Sequence, residues 1–176
     1  MIVRLERSTI RPLRAADAPS IARYADNRKV WINLKDAFPH PYTQADARTF
    51  IRQARRDRSQ KHFAIVIDGA VCGGIGYFVK QDVFRRTAVI GYWLGEPFWG
   101  RGVMTEAVRA LTLWIFEHRA VCRIEAGVFG WNQASMRVLE KAGFRLEGIQ
   151  RRAVSKAGRI VDRHVYALTL PPRNLR

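Results

Sequence analysis

The feature that most constrains the fold is a pair of long apolar segments joined by an Asp-Gly dipeptide. The segments HFAIVI (62–67) and AVCGGIGYFV (70–79) are rich in β-branched and aromatic residues. Asp68-Gly69 between them is typical of a two-residue hairpin turn, because its residues tolerate positive φ. The pattern therefore predicts two long antiparallel strands, and it is the clearest β signal in the chain.

The segments before this hairpin predict a strand and two helices. A first short strand is expected around residues 2–11, and Asp17 can cap a helix that runs through Ile21 and Tyr24. Thr43, with Asp46 three residues later, forms a capping pair for a second helix. The run RQARRDR at residues 52–58 closes this helix with positive charge, which suits the negative end of the helix dipole. The run is either a solvated helix face or a ligand-facing basic patch.

The segments after the hairpin return to strands and then alternate with helices. A strand at residues 88–94 is followed, from about Gly102, by a helical pattern of apolar residues. A strand at residues 123–129 precedes a helix at 133–141, which Gly143 ends, and further strands are expected at 144–150 and 160–170. The order predicts a mixed α+β domain.

Length and composition narrow the class of protein. At 176 residues the chain suits one domain spanning residues 1–176, and Cys72 and Cys122 cannot build a disulfide framework or a zinc module. No apolar stretch reaches the ~20 residues of a membrane-spanning helix, and the N-terminus does not resemble a secretory signal. We therefore expect a cytoplasmic protein without membrane contact. The net charge of +16 predicts attraction to polyanions such as RNA, acidic proteins or phosphate-rich cofactors.

The chemically informative segment is PFWGRGVMTEAVRAL (97–111), which connects a predicted strand to a predicted helix. Gly100 and Gly102 let the backbone approach a ligand closely, and the N–H groups of the first helical turn then point at one spot. This arrangement favours phosphate binding, but a glycine-containing turn without a ligand explains the segment equally well. The spacing matches neither a dinucleotide fingerprint nor a P-loop.

Three segments together resemble the GNAT acetyltransferases, in particular the branch of ribosomal-protein N-terminal acetyltransferases. They are IGYWLGEPFWGRGVMTEAV (90–108), NQASMRVLEKAGF (132–144) and DRHVYAL (162–168), and the resemblance extends over residues 9–170. It implies a strongly bent mixed β-sheet flanked by helices, with acetyl-CoA bound where two central strands splay apart. It also implies direct transfer of an acetyl group to a primary amine.

The resemblance assigns cofactor contacts to two neighbouring segments. The first matches the family strand whose backbone pairs with the pantetheine arm, and it contains Tyr92, Trp93 and Leu94. The second matches the family's pyrophosphate loop and the helix start that follows, and it contains Trp99, Gly100, Arg101, Gly102, Val103, Met104 and Thr105. Trp99 stands where the superfamily often has Gln or Arg, and Met104 stands where it has Gly or Ala.

The second helix of this half carries further candidates, each with a structural alternative. Asn132 matches a family Asn that contacts the pantetheine or acetyl end, and it is also a good helix N-cap. Ser135 matches a family Ser proposed to protonate the departing CoA thiolate, but a local backbone hydrogen bond is an alternative. Lys141 is a candidate for the cofactor's outlying phosphate or a solvated helix end. Tyr166 matches a Tyr of the last strand and equally suits core packing.

A general base is not assigned by the sequence. At the positions where the family branch has acidic residues proposed as bases or amine binders, this chain has Val89 and Val154. The nearby alternatives are Glu96, His62 and His164. Deprotonation at pH 7 costs about 4.6 kcal/mol for a lysine amine but only about 1–1.4 kcal/mol for an α-amine. The missing carboxylates therefore favour a peptide α-amine as acceptor.

The acceptor groove is expected beside NRKVWINLKDAFPHPYT (27–43), a segment that borders this groove in the family. Trp31, Phe38 and Tyr42 are the candidate substrate-binding residues. Two kinds of function remain open. The first is an N-acetyltransferase acting on a protein N-terminus, such as that of a ribosomal protein, or on a polyamine, amino acid or antibiotic. The second is a basic CoA-binding module that docks to RNA, the ribosome or an acidic partner.

Overall fold

An eight-stranded mixed sheet organises the part of the chain that the computed structural model describes, residues 1–57 and 60–170. Its strands are β1 (Val3–Arg4), β2 (Thr9–Pro12), β3 (Gln60–Ile67), β4 (Ala70–Val79), β5 (Thr87–Leu94), β6 (Arg123–Phe129), β7 (Arg145–Lys156) and β8 (Arg159–Thr169). The helices are α1 (Ala18–Ala25), α2 (Arg28–Trp31), α3 (Gln44–Arg56), α4 (Val103–His118) and α5 (Gln133–Lys141). The order β1-β2-β3-β4-β5-β6-β8-β7 makes β5 and β6 central neighbours, and they are the parallel pair in this sheet.

The predicted central hairpin is confirmed. β3 and β4 are antiparallel and pair along their length, and they are joined by Asp68 at φ 48° and Gly69 at φ 79°. Two successive residues with positive φ give a turn whose twist matches that of the flanking strands. The predicted strand at 88–94, the strand at 123–129 and the helix at 133–141 are also present.

Two apolar cores cover opposite faces of the sheet. On one face α4 buries a continuous stripe against β3–β6, and this stripe includes Ala107, Val108, Leu111 and Ile115. On the other face α1 and α3 enclose a smaller cluster around Ile21 and Ile51. Alternate residues of β5 face the two cores, so each core contacts the strand that borders the β5–β6 gap.

The first predicted strand, residues 2–11, is wrong in detail. The segment forms two short antiparallel strands, β1 and β2, because the chain reverses where the Leu5 N–H donates to the Ser8 carbonyl at 2.8 Å. The last two predicted strands exist, but the one predicted at 144–150 extends to Lys156, so that β7 and β8 form a long hairpin.

Asp17 has a different role from the predicted one. It is the residue before α1, but its carboxylate makes no cap bond to that helix. The carboxylate instead accepts two hydrogen bonds from the Arg11 guanidinium, at 2.7 and 2.8 Å, and one from the Arg14 N–H at 2.7 Å. Burial alone would raise the pKa of Asp17, but these bonds outweigh burial and hold the pKa below its usual range.

The capping pair predicted for α3 is confirmed. The Thr43 side chain accepts from the Asp46 N–H at 3.2 Å, and the Asp46 carboxylate accepts from the Thr43 N–H at 2.8 Å. The two bonds satisfy backbone donors that a helix start leaves unpaired. Because α3 begins here, they also fix the point at which the preceding loop ends.

The basic run at the end of α3 lies on an exposed helix face. An open groove of about 420 Å³ is lined by Ala15, Arg48, Ile51, Arg52, Arg55 and Arg56. Within residues 1–57 and 60–170, none of these four arginines forms an ion pair with a carboxylate. Arg58, the last residue of the predicted run, lies outside the described residues, as do residues 171–176.

No helix in the described part of the chain is both long enough and apolar enough to span a membrane.

Candidate active site

The site is built around a gap between two neighbouring strands. β5 and β6 pair over only three residues, from Thr87 opposite Arg123 to Val89 opposite Glu125. Beyond that point β5 remains paired with β4, and β6 remains paired with β8. Strands β5 and β6 therefore separate from each other. Their facing edges, at residues 90–94 and 126–129, are open to an extended group that can bond to a strand edge.

The loop after β5 presents backbone donors next to this gap. Gly100 and Gly102 have φ of 74° and 79°, a conformation that residues with a Cβ adopt only at a cost. Gly102 is the N-cap of α4 and supplies no side chain to it, so the N–H groups of residues 103–105 are left for another acceptor. Nothing in the described chain lies within 4 Å of where a Cβ on Gly100 would stand. Glycine conformation, open space and a helix start therefore fit a pyrophosphate.

The residues that open α4 are held by the core. Val103 and Met104 are buried and Thr105 is partly buried. The Met104 side chain belongs to the main apolar core, so the larger residue at this position packs inward. The side chains of Val103 and Met104 are thus turned into the core, which leaves their backbone for a phosphate site made of N–H groups.

Trp99 and Arg101 border the loop on its exposed side. The indole N–H of Trp99 donates to the Leu94 carbonyl at 2.7 Å, which ties the loop to the end of β5. Trp99 remains 41% exposed. Arg101 is exposed and lies over the Phe98 ring, 5.8 Å from its centroid.

Arg7 is a basic residue that lies beside this loop, a position that the sequence did not indicate. Its side chain lies 3.8 Å from where a Cβ on Gly102 would stand. The contact arises because the Glu106 carboxylate on α4 accepts from the N–H groups of Glu6 and Arg7, at 2.8 and 3.3 Å. The only available signal was the charge of the N-terminal segment, which does not indicate where that segment folds.

The start of α5 brings Ser135 to Tyr92 across the gap. The Ser135 Oγ and the Tyr92 phenol oxygen are 2.8 Å apart, and the phenol also donates to the Ser135 carbonyl at 3.3 Å. Burial raises the pKa of Tyr92, so its phenol keeps its proton at neutral pH. Asn132 caps α5 by accepting from the Ser135 N–H at 3.1 Å, which confirms the capping role without testing a contact with pantetheine.

Lys141 and Tyr166 lie at different depths near α5. Lys141 is the exposed last residue of the helix, and its carbonyl accepts from the Arg109 guanidinium. Tyr166 is buried on β8, and its hydroxyl donates to the Glu140 carboxylate at 3.0 Å. Burial and this carboxylate raise the pKa of Tyr166 to about 12.

Aromatic residues from the predicted acceptor segment pack against β5. The ring of Phe38 lies 4.6 Å from that of Tyr42 and 5.8 Å from that of Trp93. Tyr42 is buried and packs against Phe38. Its burial raises its pKa to about 12. Trp93 therefore faces this segment, on the opposite side of β5 from Tyr92 and Leu94.

Trp31 is enclosed by its own loop and by the tip of the β7–β8 hairpin. It stacks on His40 with ring centroids 5.6 Å apart, and the Lys156 ammonium lies 3.8 Å from the Trp31 ring centroid. Lys156 is 2% exposed and pairs with the Asp36 carboxylate at 2.7 Å. The hairpin tip thus closes one end of the acceptor segment.

The carboxylates on and beside the two gap strands are already paired. Glu96 accepts from Asn27 at 2.8 Å and pairs with Lys29, and these bonds lower its pKa. Glu125 pairs with Lys80 at 2.6 Å and with Arg123 at 2.9 Å, and despite partial burial these cations lower its pKa. Both groups are therefore ionised and held by cations at neutral pH.

The positions of the remaining base candidates differ. Val89 lies in β5 beside Glu125, and Val154 pairs with Val161 within the long hairpin. Burial lowers the pKa of His62, which packs edge-on against Phe50. His164 lies on β8, and its Nδ1 is buried without a hydrogen-bond partner in the described residues.

Known proteins resemble the chain over nearly its whole length. The family model described as "Acetyltransferase (GNAT) domain" matches residues 7–145. "Probable N-acetyltransferase YjcK" of Bacillus subtilis is 35% identical over 169 residues, covering 92% of this chain and 93% of the relative. The alanine N-acetyltransferase of ribosomal protein uS5 from Escherichia coli is 28% identical, covering 94% and 89%. The structure of Mycobacterium smegmatis RimJ in complex with CoA-disulfide has a TM-score of 0.83 at 27% identity, covering 92% and 81%.

Proposed function

Because this chain belongs to the GNAT acetyltransferase family, we propose that it acetylates the α-amine of a peptide or protein N-terminus, a ribosomal protein being one candidate. The chain is an acetyl-CoA-dependent N-acetyltransferase with the GNAT fold, as its resemblance to that family implied. The proposal concerns the acceptor, the site residues and their roles.

The proposed cofactor site uses the gap and the glycine loop. The N–H groups at residues 103–105 and the Arg7 side chain would hold the pyrophosphate, and the β5 edge at residues 92–94 would bond to the pantetheine arm. Asn132 and Lys141, at the two ends of α5, are proposed to contact the pantetheine and the outlying phosphate. When bound, acetyl-CoA supplies the acetyl group as a thioester.

Ser135 is the proposed proton donor to the leaving sulfur. Its Oγ is bonded to the Tyr92 phenol, which stays protonated because burial raises its pKa. This bond orients the hydroxyl, and the cap from Asn132 fixes the backbone that carries it. These two contacts support the proposed role of Ser135 as proton donor.

The observation that carries the choice of acceptor is the pairing of Glu96 and Glu125. Both carboxylates are ionised and bonded to cations, and the two family carboxylate positions are Val89 and Val154. A lysine acceptor needs help to lose its proton at neutral pH, whereas an α-amine with a pKa of ~7.7–8.0 is deprotonated in a substantial fraction of molecules. The site therefore suits the more acidic amine.

The test measures acetyl-CoA turnover, as released CoA thiol, with N-terminal peptides of ribosomal proteins, polyamines, amino acids and aminoglycosides. We expect turnover with a peptide and none with its N-terminally blocked copy. The rate at subsaturating peptide should rise with pH up to the pKa of the α-amine, because only the neutral amine attacks. Fast acetylation of a lysine side chain at neutral pH would contradict the proposal.

A docking role is favoured by the arginine-lined groove on α3. We propose that this face adds electrostatic attraction to a polyanion such as RNA. Replacing Arg48, Arg52 and Arg55 with Gln should lower the dependence of RNA binding on salt, whereas replacing three exposed arginines elsewhere should lower it less. An equal effect from both sets would mean that total charge alone attracts RNA.

A further inference from the structure

A second open pocket lies beside the start of α5, between three segments that are distant in sequence. It has a volume of about 380 Å³. Ile32 and Asn33 come from the loop after α2, Trp131 and Asn132 from the turn before α5, and Arg159 from the tip of the β7–β8 hairpin. Residues 131–134 also line this pocket in part, and they immediately precede Ser135 of the proposed reaction site.

The Trp131 ring forms a fixed wall of the pocket. Its indole N–H donates to the Asn33 side-chain oxygen at 3.0 Å, and the Asn33 amide donates to the Lys29 carbonyl at 2.9 Å. The Arg159 guanidinium lies over the same ring, 5.3 Å from its centroid. A guanidinium stacked on an aromatic ring keeps its N–H groups at the edge, where they can bind an anion.

The two cations of the hairpin tip differ in what they already bind. Lys156 is buried against Trp31 and paired with Asp36. Arg159 is exposed, and within residues 1–57 and 60–170 its side chain makes no hydrogen bond and no ion pair. The charge of Arg159 is therefore available to a ligand.

The other polar groups of the pocket also favour an anion. The residues lining it include no aspartate or glutamate. The Asn132 side-chain oxygen is used to cap α5, which leaves its amide N–H groups as donors. The pocket thus combines an apolar wall with hydrogen-bond donors and one free positive charge.

We propose that Arg159, held on Trp131, binds a carboxylate of the acceptor close to its reactive amine, so that the enzyme selects acceptors that are acidic beside that amine. The inference rests on the proposed function and narrows its substrate class. A carboxylate beside the acceptor amine favours its protonated form, and the Arg159 guanidinium offsets that effect, so that more of the amine stays in the neutral, reactive form. This effect is useful in a site whose carboxylates are held by cations.

The carboxylate could belong to an acidic side chain at the second position of a peptide or to a free amino acid itself. C-terminally amidated peptides that begin with alanine and carry glutamate, glutamine or lysine second test the first source. Alanine compared with alaninamide tests the second. CoA thiol release gives kcat and KM for each acceptor.

In the native enzyme the peptide with glutamate should have a KM about 10-fold below that of the glutamine peptide, with similar kcat, as expected for a charged hydrogen-bonded pair. Arg159→Gln should remove that difference by raising only the KM of the glutamate peptide. Arg159→Glu should favour the lysine peptide. Arg86→Gln, which removes an exposed charge at the opposite end of β5, should leave the preference intact.

The outcomes separate the inference from the proposed function. Equal KM values for the glutamate and glutamine peptides, and equal values for alanine and alaninamide, would overturn the inference and leave α-amine acetylation standing. A preference that survives Arg159→Gln would also overturn it. If no peptide or amino acid is acetylated although CoA binds, both fail. Unchanged CoA affinity of the Arg159 variants shows that they are folded.

Discussion

The two halves of the active site are assembled in different ways. Most of the proposed cofactor half, residues 90–105, is one continuous segment from β5 through the glycine loop into α4, with local bonds such as Trp99 to Leu94, and the proposed contacts of Arg7, Asn132 and Lys141 are added from elsewhere in the chain. The acceptor half combines residues 31–42, 129–135 and 154–159. Its bonds join residues far apart in the chain, 98 positions for Trp131 to Asn33 and 120 for Lys156 to Asp36.

This difference indicates which property each half can change. A local segment whose shape is set by glycine conformations and a helix start binds the same cofactor wherever that segment occurs. A surface gathered from three segments changes when any one of them changes, so acceptor choice can vary without disturbing cofactor binding. Substitutions in the two halves should therefore separate CoA affinity from acceptor KM.

The largest expected effect is on the stability of the fold that carries both halves. Asp17→Asn should destabilise the fold by about 3 kcal/mol, because the partly buried Arg11 guanidinium loses the buried carboxylate that is its ionic partner. The folded-state pKa of Asp17 is lowered, so its contribution is present above the unfolded-state pKa of about 3.9 and is lost as pH falls through the folded value. Urea unfolding at pH 7 and pH 3 measures both effects. The difference between native and variant proteins should shrink at the lower pH.

The second largest effect is expected on kcat when Ser135, which lies between the two halves, is replaced. Ser135→Ala should lower kcat about 100-fold, because it removes the proposed proton donor, while CoA affinity stays the same. Thr169→Ala, which removes an exposed hydroxyl where β8 pairs with Arg123 away from the gap, is the control and should keep native kcat. Tyr92→Phe should cost less than Ser135→Ala because it removes only the supporting hydroxyl. An undiminished kcat in Ser135→Ala would mean that this hydroxyl serves only local structure.

A pair of glycine substitutions tests directly whether the two halves are independent. Gly102→Ala should weaken CoA binding about 10-fold, because an alanine in the left-handed conformation costs about 1–2 kcal/mol. Gly158→Ala introduces a similar strain at φ 73° in the hairpin tip and should leave CoA affinity unchanged. Isothermal titration with CoA distinguishes them. Equal losses of CoA affinity would show that the halves are not independent.

A smaller effect on stability is expected at the start of α3. Thr43→Ala removes the cap and should cost about 1 kcal/mol of unfolding free energy. Thr49→Ala, in the interior of the same helix, should change it by less than about 0.5 kcal/mol. Urea titration of both variants gives the comparison. Equal costs would mean that the capping box contributes nothing beyond an ordinary threonine.

The smallest expected effect tests how much the hairpin tip contributes to acceptor binding. Lys156→Met keeps the buried volume but loses the cation over Trp31 and the pair with Asp36, which is 76% exposed. We expect acceptor KM to rise only about 3-fold, since the Asp36 carboxylate left without its partner is exposed to water and a cation–π contact is modest. CoA affinity should not change. A fall in CoA affinity as large as the rise in KM would place the tip in both halves.

The sequence by itself determined the elements whose signals are local. Asp68-Gly69 specified the hairpin, Thr43 with Asp46 specified the start of α3, and the change from period two to period 3.6 marked where β5 gives way to α4. The cofactor half is built from such signals. The glycine loop could therefore be located from residues adjacent in the chain, and its role in binding phosphate stays a prediction.

Only the tertiary structure decided which distant residues meet. Arg7 beside Gly102 and Arg159 on Trp131 depend on how the N-terminal segment and the last hairpin fold over the sheet. The sequence predicts a helix cap at Asp17, because it does not show that Arg11 lies within reach of the Asp17 carboxylate. Local preferences act over a few residues, whereas the partner of a charged side chain is set by packing across the whole domain.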